Sequence, residues 1–63
     1  MNSANIIKRL YSEGWELVGG KGSHQKFKHP GRPGHVVVPH PRKDLPLGTA
    51  RNIFRQAGWE WRN

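Results

Sequence analysis

The sequence predicts an α+β fold in the order α-β-β-β-α, a three-stranded antiparallel sheet with two helices on one face, and three observations carry that prediction. Apolar residues recur at helical spacing in two stretches, around Ile6 to Tyr11 and Leu47 to Ala57. Between them lie three short segments with β-branched and aromatic residues, set apart by glycine and proline. Trp15 and Trp59 each follow a glycine directly beyond a helix end, where the chain turns back and an aromatic ring joins the core.

The first helix opens at Ser3, which is read as its N-cap. It carries Ile6, Ile7, Leu10 and Tyr11 on one side, Lys8, Arg9, Ser12 and Glu13 on the other, and stops at Gly14. Trp15 to Val18 reads as a strand that leads into a glycine loop and forms a hairpin with Ser23 to Lys28. His29 to Gly34, with two prolines and two glycines, is a turn region. His35 to Pro39, with three consecutive valines, is the third strand, and Pro39 and Pro41 end it. The second helix begins between Pro46 and Thr49, with its cap left open between Asp44 and a later residue. It presents Leu47, Ala50, Ile53, Phe54 and Ala57 against Arg51, Asn52, Arg55 and Gln56, and ends at Gly58. Trp61, in the terminal segment, fits either core or surface.

Sixty-three residues make one domain, 1–63, and a chain of this size buries only about 60% of the surface its unfolded form exposes, which leaves little room for an internal cofactor pocket. No cofactor is expected. Eleven Lys and Arg against four Asp and Glu give a formal net charge of +7, so the partner is anionic. No apolar run approaches the roughly 18 residues of a membrane span, and no stretch near the N-terminus resembles a signal sequence. The absence of cysteine removes disulfides, thiolate catalysis and cysteine-bound zinc together, and fits a cytoplasmic protein. His24, His29, His35 and His40 come from separate segments without ligand spacing, so no metal site is expected. His40, held between prolines, is a second acid–base group if it folds toward His24.

The stretch with the makings of a site is Gly19 to Lys28, which sets three glycines before one histidine and two lysines. Alternation along a strand puts His24, Lys26 and Lys28 on one face and Ser23, Gln25 and Phe27 on the other. With Phe27 in the core, His24 stands in a solvent-facing row of cations. A neutral imidazole there accepts a proton while the lysines attract phosphate. The same pattern also describes an ordinary exposed histidine on a solvated basic strand. The glycines lack the spacing of a P-loop, and read as a permissive connection that lets backbone or a phosphate come close.

Over nearly its whole length the chain resembles the HicA toxins of bacterial toxin–antitoxin systems. The resemblance is carried by Ile7 and Leu10 closed by Gly14 and Trp15, by Gly22-Ser23-His24 followed by Phe27, by the valine strand ending at Pro39, and by Asp44-Leu45-Pro46 with Gly48-Thr49, Ile53 and Gln56-Ala57-Gly58. It implies a double-stranded-RNA-binding-domain-like fold and a type II toxin that is an mRNA interferase, a metal-independent endoribonuclease. His24 would be the residue tied to RNA cleavage and a HicB-like antitoxin the partner; on the RNA-cleaving reading, Lys21, Gly22, Ser23, Lys26, Lys28 and Arg32 lie on the RNA. Leu47 and Ala50 depart from the family's pattern, and the lysine cluster that true duplex-RNA binders carry at the start of the last helix is missing. The reading from a different class is a non-catalytic RNA-binding module with the same basic face; cleavage of a single-stranded RNA in a single turnover separates the two.

Overall fold

The computed structural model describes residues 1–62. Its elements are α1 (Ser3–Ser12), β1 (Glu16–Lys21), β2 (His24–Lys28), β3 (Val36–Pro39) and α2 (Leu47–Ala57), and the sheet has the order β1-β2-β3 with both pairings antiparallel. The expected order and sheet are therefore present. Both helices lie over the face that carries Phe27, Val36 and Val38. These pack with Ile6, Leu10, Trp15, Leu45, Ala50, Ile53, Ala57 and Trp59 into one core. Phe27 is fully buried at its centre, and truncating such a ring costs about 3–5 kcal/mol.

Both helices close alike. After α1, Gly14 takes φ 91°, its N–H bonds to Tyr11 O at 3.1 Å, and the Trp15 N–H reaches back to Leu10 O at 3.0 Å. After α2, Gly58 takes φ 76°, its N–H bonds to Arg55 O at 3.2 Å, and the Trp59 N–H bonds to Phe54 O at 2.8 Å. This is the Schellman pattern, in which a left-handed residue satisfies two orphan carbonyls and throws the next side chain inward. It explains why each tryptophan is buried. The helix starts differ from expectation. Asn2 caps α1 through a 2.8 Å bond from the Asn5 N–H to Asn Oδ1, while Ser3 is the first helical residue and is buried. α2 starts after Pro46 without a side-chain cap, because Asp44 turns away to hold the N-terminal ammonium at 3.2 Å.

The first strand is longer than the sequence suggested. Gly19, Gly20 and Lys21 belong to β1, and only Gly22 and Ser23 form the turn. Gly22 has φ 61° and, among the described residues, no non-glycine residue has positive φ, the sign pattern of a type II′ hairpin turn, which matches the twist of its strands. Pairing passes from Leu17 opposite Phe27 to Gly19 opposite Lys26, so Val18 is the extra residue of a β-bulge. At the far edge, Gln56 of α2 takes the Val37 N–H at 3.3 Å and so covers part of β3's open side.

Candidate functional site

Residues directly opposite in an antiparallel pair share a face. Phe27 opposite Val36, and Gln25 opposite Val38, belong to the core side. The other side of the sheet therefore carries His24, Lys26 and Lys28 from β2, with Val37 opposite Lys26 and Pro39 opposite His24 from β3. All three basic residues of β2 are exposed, as expected for a row facing solvent.

The neighbouring strand adds to this row. Lys21 stands directly across from His24, and Gly19 across from Lys26. The bulge makes this possible: it lets Leu17 share the core side with Phe27 and still brings Lys21 out on the side of His24, an odd-numbered pair of positions that strict alternation would put together. Gly20 lets the strands close up, since a Cβ there would collide with the His24 carbonyl oxygen and lie 3.1 Å from Gln25 Cα. The result is a shallow depression of about 340 Å³ lined by Gly20, Lys21, His24, Lys26 and Val37. One imidazole and two ammonium groups thus surround a space the size of a phosphate and its sugar. The arrangement can hold an anion and move a proton beside it.

The remaining expected residues fall at different places. Gly22 and Ser23 form the turn that joins Lys21 to His24. Lys28 lies at the other end of β2, where Glu16 is directly across from it. Arg32 is not in the row: its guanidinium lies against Gly58 at the C-terminal end of α2, where a Cβ added to Gly58 would stand 2.5 Å from it. A cation there suits the negative end of the helix.

Two further histidines have structural tasks. His29 Nε2 donates to Glu13 O at 3.0 Å and its Nδ1 accepts from the Gly31 N–H at 2.9 Å, which fixes the ring against Trp15. His40 turns to the helix side: its Nδ1 is 2.7 Å from Ser3 Oγ, and its backbone N–H donates to Ser23 O at 2.6 Å. It does not fold onto the face of His24. Trp61 packs edge-on against Phe54 at 4.9 Å, with the Arg51 guanidinium 5.5 Å from its ring, and is half-buried. Among the described residues, no three of His, Cys, Asp and Glu gather closely enough to hold a metal ion, and no helix is long and apolar enough to cross a membrane.

Gly20, Val37 and Pro39 were not singled out as site residues. The signal for Val37 and Pro39 was available in the alternation of the valine strand. Gly20 could not be found from its own chemistry, because the demand for it comes from the neighbouring strand.

Comparison with known proteins comes to the same fold. Residues 3–59 match the family model described as the HicA toxin of bacterial toxin–antitoxin. A solved chain from a structure titled "HicA3 and HicB3 toxin-antitoxin complex" is 33% identical, superposes with a TM-score of 0.80, and is covered over 100% of its length by 98% of this chain. No curated protein matches the chain.

Proposed function

The chain belongs to the HicA toxin family of bacterial toxin–antitoxin systems, and from that premise we propose that it is a metal-independent endoribonuclease that uses His24 on single-stranded RNA. The observation that carries the reading is the register that sets Lys21 across from His24, with Lys26 two residues along on the same exposed face.

In this mechanism the scissile phosphate sits between the Lys21 and Lys26 ammonium groups, which neutralise the charge that grows on its non-bridging oxygens. His24, as neutral imidazole, takes the proton of the neighbouring ribose 2′-hydroxyl. The 2′-oxygen then forms a bond to phosphorus as the bond to the 5′-oxygen breaks. The imidazolium returns its proton to the leaving oxygen, which gives a 2′,3′-cyclic phosphate and a 5′-hydroxyl. Gly22 and Ser23, at the tight turn, offer backbone close to the bound strand. Lys28, at the other end of β2, and Arg32, beside the end of α2, add only to long-range attraction.

A cognate HicB-like antitoxin is the natural neutraliser of such a face. It covers His24 and meets Lys21 and Lys26 with carboxylates, which removes the phosphate site and the proton acceptor with one surface.

The test is His24→Ala. The side chain is exposed, so its loss leaves no cavity and the fold should persist by circular dichroism. Single-turnover RNA cleavage should fall by on the order of 10²- to 10⁴-fold, and a 2′-deoxy nucleotide at the cut should block the wild-type enzyme. Cleavage at the normal rate by the variant would sink the assignment, as would activity lost to EDTA and restored by a defined metal.

A further inference from the structure

A cleft of about 670 Å³, larger than the depression at His24, lies between residues 2–4 at the start of α1 and residues 40–43 after β3. Its lining is mostly apolar and includes Ala4, His40 and Pro41, while Arg42 and Lys43 are exposed at its side. The volume falls within the range of small-ligand sites. The floor is built, not incidental. Ser3 Oγ accepts from the Arg42 N–H at 2.8 Å and lies 2.7 Å from His40 Nδ1, and the Ser3 N–H donates to Arg42 O at 2.9 Å. Ser3 itself is buried. These bonds tie the loop to the helix and hold the cleft open. His40 Nε2 has no partner among the described residues.

The cleft adjoins the proposed catalytic face. Pro39 is directly opposite His24, and the next residue, His40, bonds through its N–H to Ser23 O. That bond ties the loop lining the cleft to the turn that precedes His24. An RNA strand with one phosphate between Lys21 and Lys26 has only to cross the end of the sheet for its neighbouring nucleotide to reach the cleft. Charge runs along the same path: neither Arg42 nor Lys43 is in an ion pair among the described residues, and Asp44, the one carboxylate beside them in sequence, is held by the N-terminal ammonium.

We infer that this cleft is a nucleotide subsite. The base next to the scissile bond enters between Ala4 and Pro41 and stacks on the Pro41 and His40 rings, with His40 Nε2 on its edge, while Arg42 and Lys43 take the following phosphate. Apolar floor and cationic rim suit a base and its phosphate, and the cleft begins one residue beyond Pro39, which is opposite His24. The cleft would then set which base is preferred beside the cut, a task His24 and the lysines, which touch only sugar and phosphate, cannot perform. The inference rests on the RNA-cleaving reading above.

The test is binding of a short 2′-O-methyl RNA, which cannot be cleaved by 2′-oxygen attack, followed by fluorescence anisotropy with the full chain. An abasic site is moved one position at a time through the RNA. For the wild type, one position should cost about tenfold in affinity, within the range of a stacked base. Ala4 is exposed, so Ala4→Trp fills the cleft at little risk to the fold, and in that variant the special position should vanish. The pair Arg42→Ala with Lys43→Ala should lower the salt slope of log Kd by about 0.7, the one phosphate they share on a single strand. An abasic scan that is flat, or equally shaped in Ala4→Trp, would overturn the subsite, as would an unchanged salt slope. Cleft variants that bind RNA normally but lose the antitoxin would reassign the cleft to a protein partner. The two readings fail separately. A wild type that binds with this abasic profile but cuts no RNA retains the subsite and loses the nuclease; one that cuts through His24 with a flat profile does the reverse.

Discussion

At the scale of the residue, Gly20 shows how a site can depend on a position that bears no chemistry. Its φ of 156° lies where L side chains rarely go, and contact adds a second demand for glycine: a Cβ would strike the carbonyl oxygen of His24. Backbone oxygen in a paired strand cannot step aside as a flexible side chain can. Gly20→Ala is therefore expected to lower stability by about 1–3 kcal/mol, the usual cost of overpacking, and to lower RNA cleavage further by pushing His24 from its place opposite Lys21. Urea unfolding beside a cleavage assay checks both; a variant of wild-type stability would show that the strands are not so closely apposed. The outward alternation of His24, Lys26 and Lys28 was legible in the sequence, because Phe27 is an unmistakable core residue and fixes the parity of β2. The reach of β1 was not, since Gly19 and Gly20 carry no strand propensity and the bulge at Val18, which sets Lys21 across from His24, breaks the parity of the strand. Arg32 illustrates a different limit: its partner, Gly58, is distant in sequence, and no local pattern announces where a long flexible side chain will lie.

At the scale of the element, the two helix ends are joined by a polar latch. Trp59 Nε1 donates to Glu13 Oε1 at 2.6 Å, Arg9 Nε donates to Glu13 Oε2 at 3.1 Å, and the Arg9 guanidinium stacks over the Trp59 ring at 4.1 Å. The latch links the C-terminal ends of α1 and α2, so each Schellman turn holds the other's tryptophan region in place. The bond from Trp59, followed by those from Arg9, holds the Glu13 carboxyl below its ordinary value of 4.5. A carboxylate whose folded value is depressed adds stability above the unfolded value, and that stability is lost as pH falls through the folded one. The wild type should therefore melt above Glu13→Gln at pH 7, and the gap should close below about pH 4.5 as the carboxylate protonates. Melting curves taken down to about pH 2.5 measure it, and a gap that stayed constant would mean that the charge contributes nothing. Both helix stops were legible, because glycine followed by a large apolar residue has one common local solution. The starts were less so: Asn2 and Ser3 are both good caps, and the choice fell to Ser3's bonds with His40 and Arg42, which are made only in the folded chain.

At the scale of the whole molecule, what matters is where the +7 charge is left uncompensated. Three of the four carboxylates are spent in ion pairs: Glu13 with Arg9, Glu60 with Arg62 and Asp44 with the N-terminus. The fourth, Glu16, lies opposite Lys28. The end of the sheet that holds Lys21, His24 and Lys26 is thus the part of the face with no carboxylate across from it, and its positive charge draws an anion there. Both proposed partners of this surface, RNA and an acidic antitoxin face, would feel that field before touching it. A steered encounter has a kinetic signature distinct from a tight fit: the association rate falls with added salt, because exposed charges are screened within a Debye length of about 10 Å at 0.1 M, while dissociation, set by packed contacts, changes little. Association of the toxin with its antitoxin is accordingly expected to slow at least about tenfold between ~0.05 and ~0.5 M salt, with the dissociation rate nearly constant. The double variant Lys21→Ala with Lys26→Ala should associate slowly even at low salt and respond less to screening. Stopped-flow mixing of the two proteins reads both rates. If the double variant kept the wild-type salt dependence while Arg51→Ala with Arg55→Ala lost it, the antitoxin would be steered to the exposed face of α2, and RNA would be blocked from a distance instead of at His24.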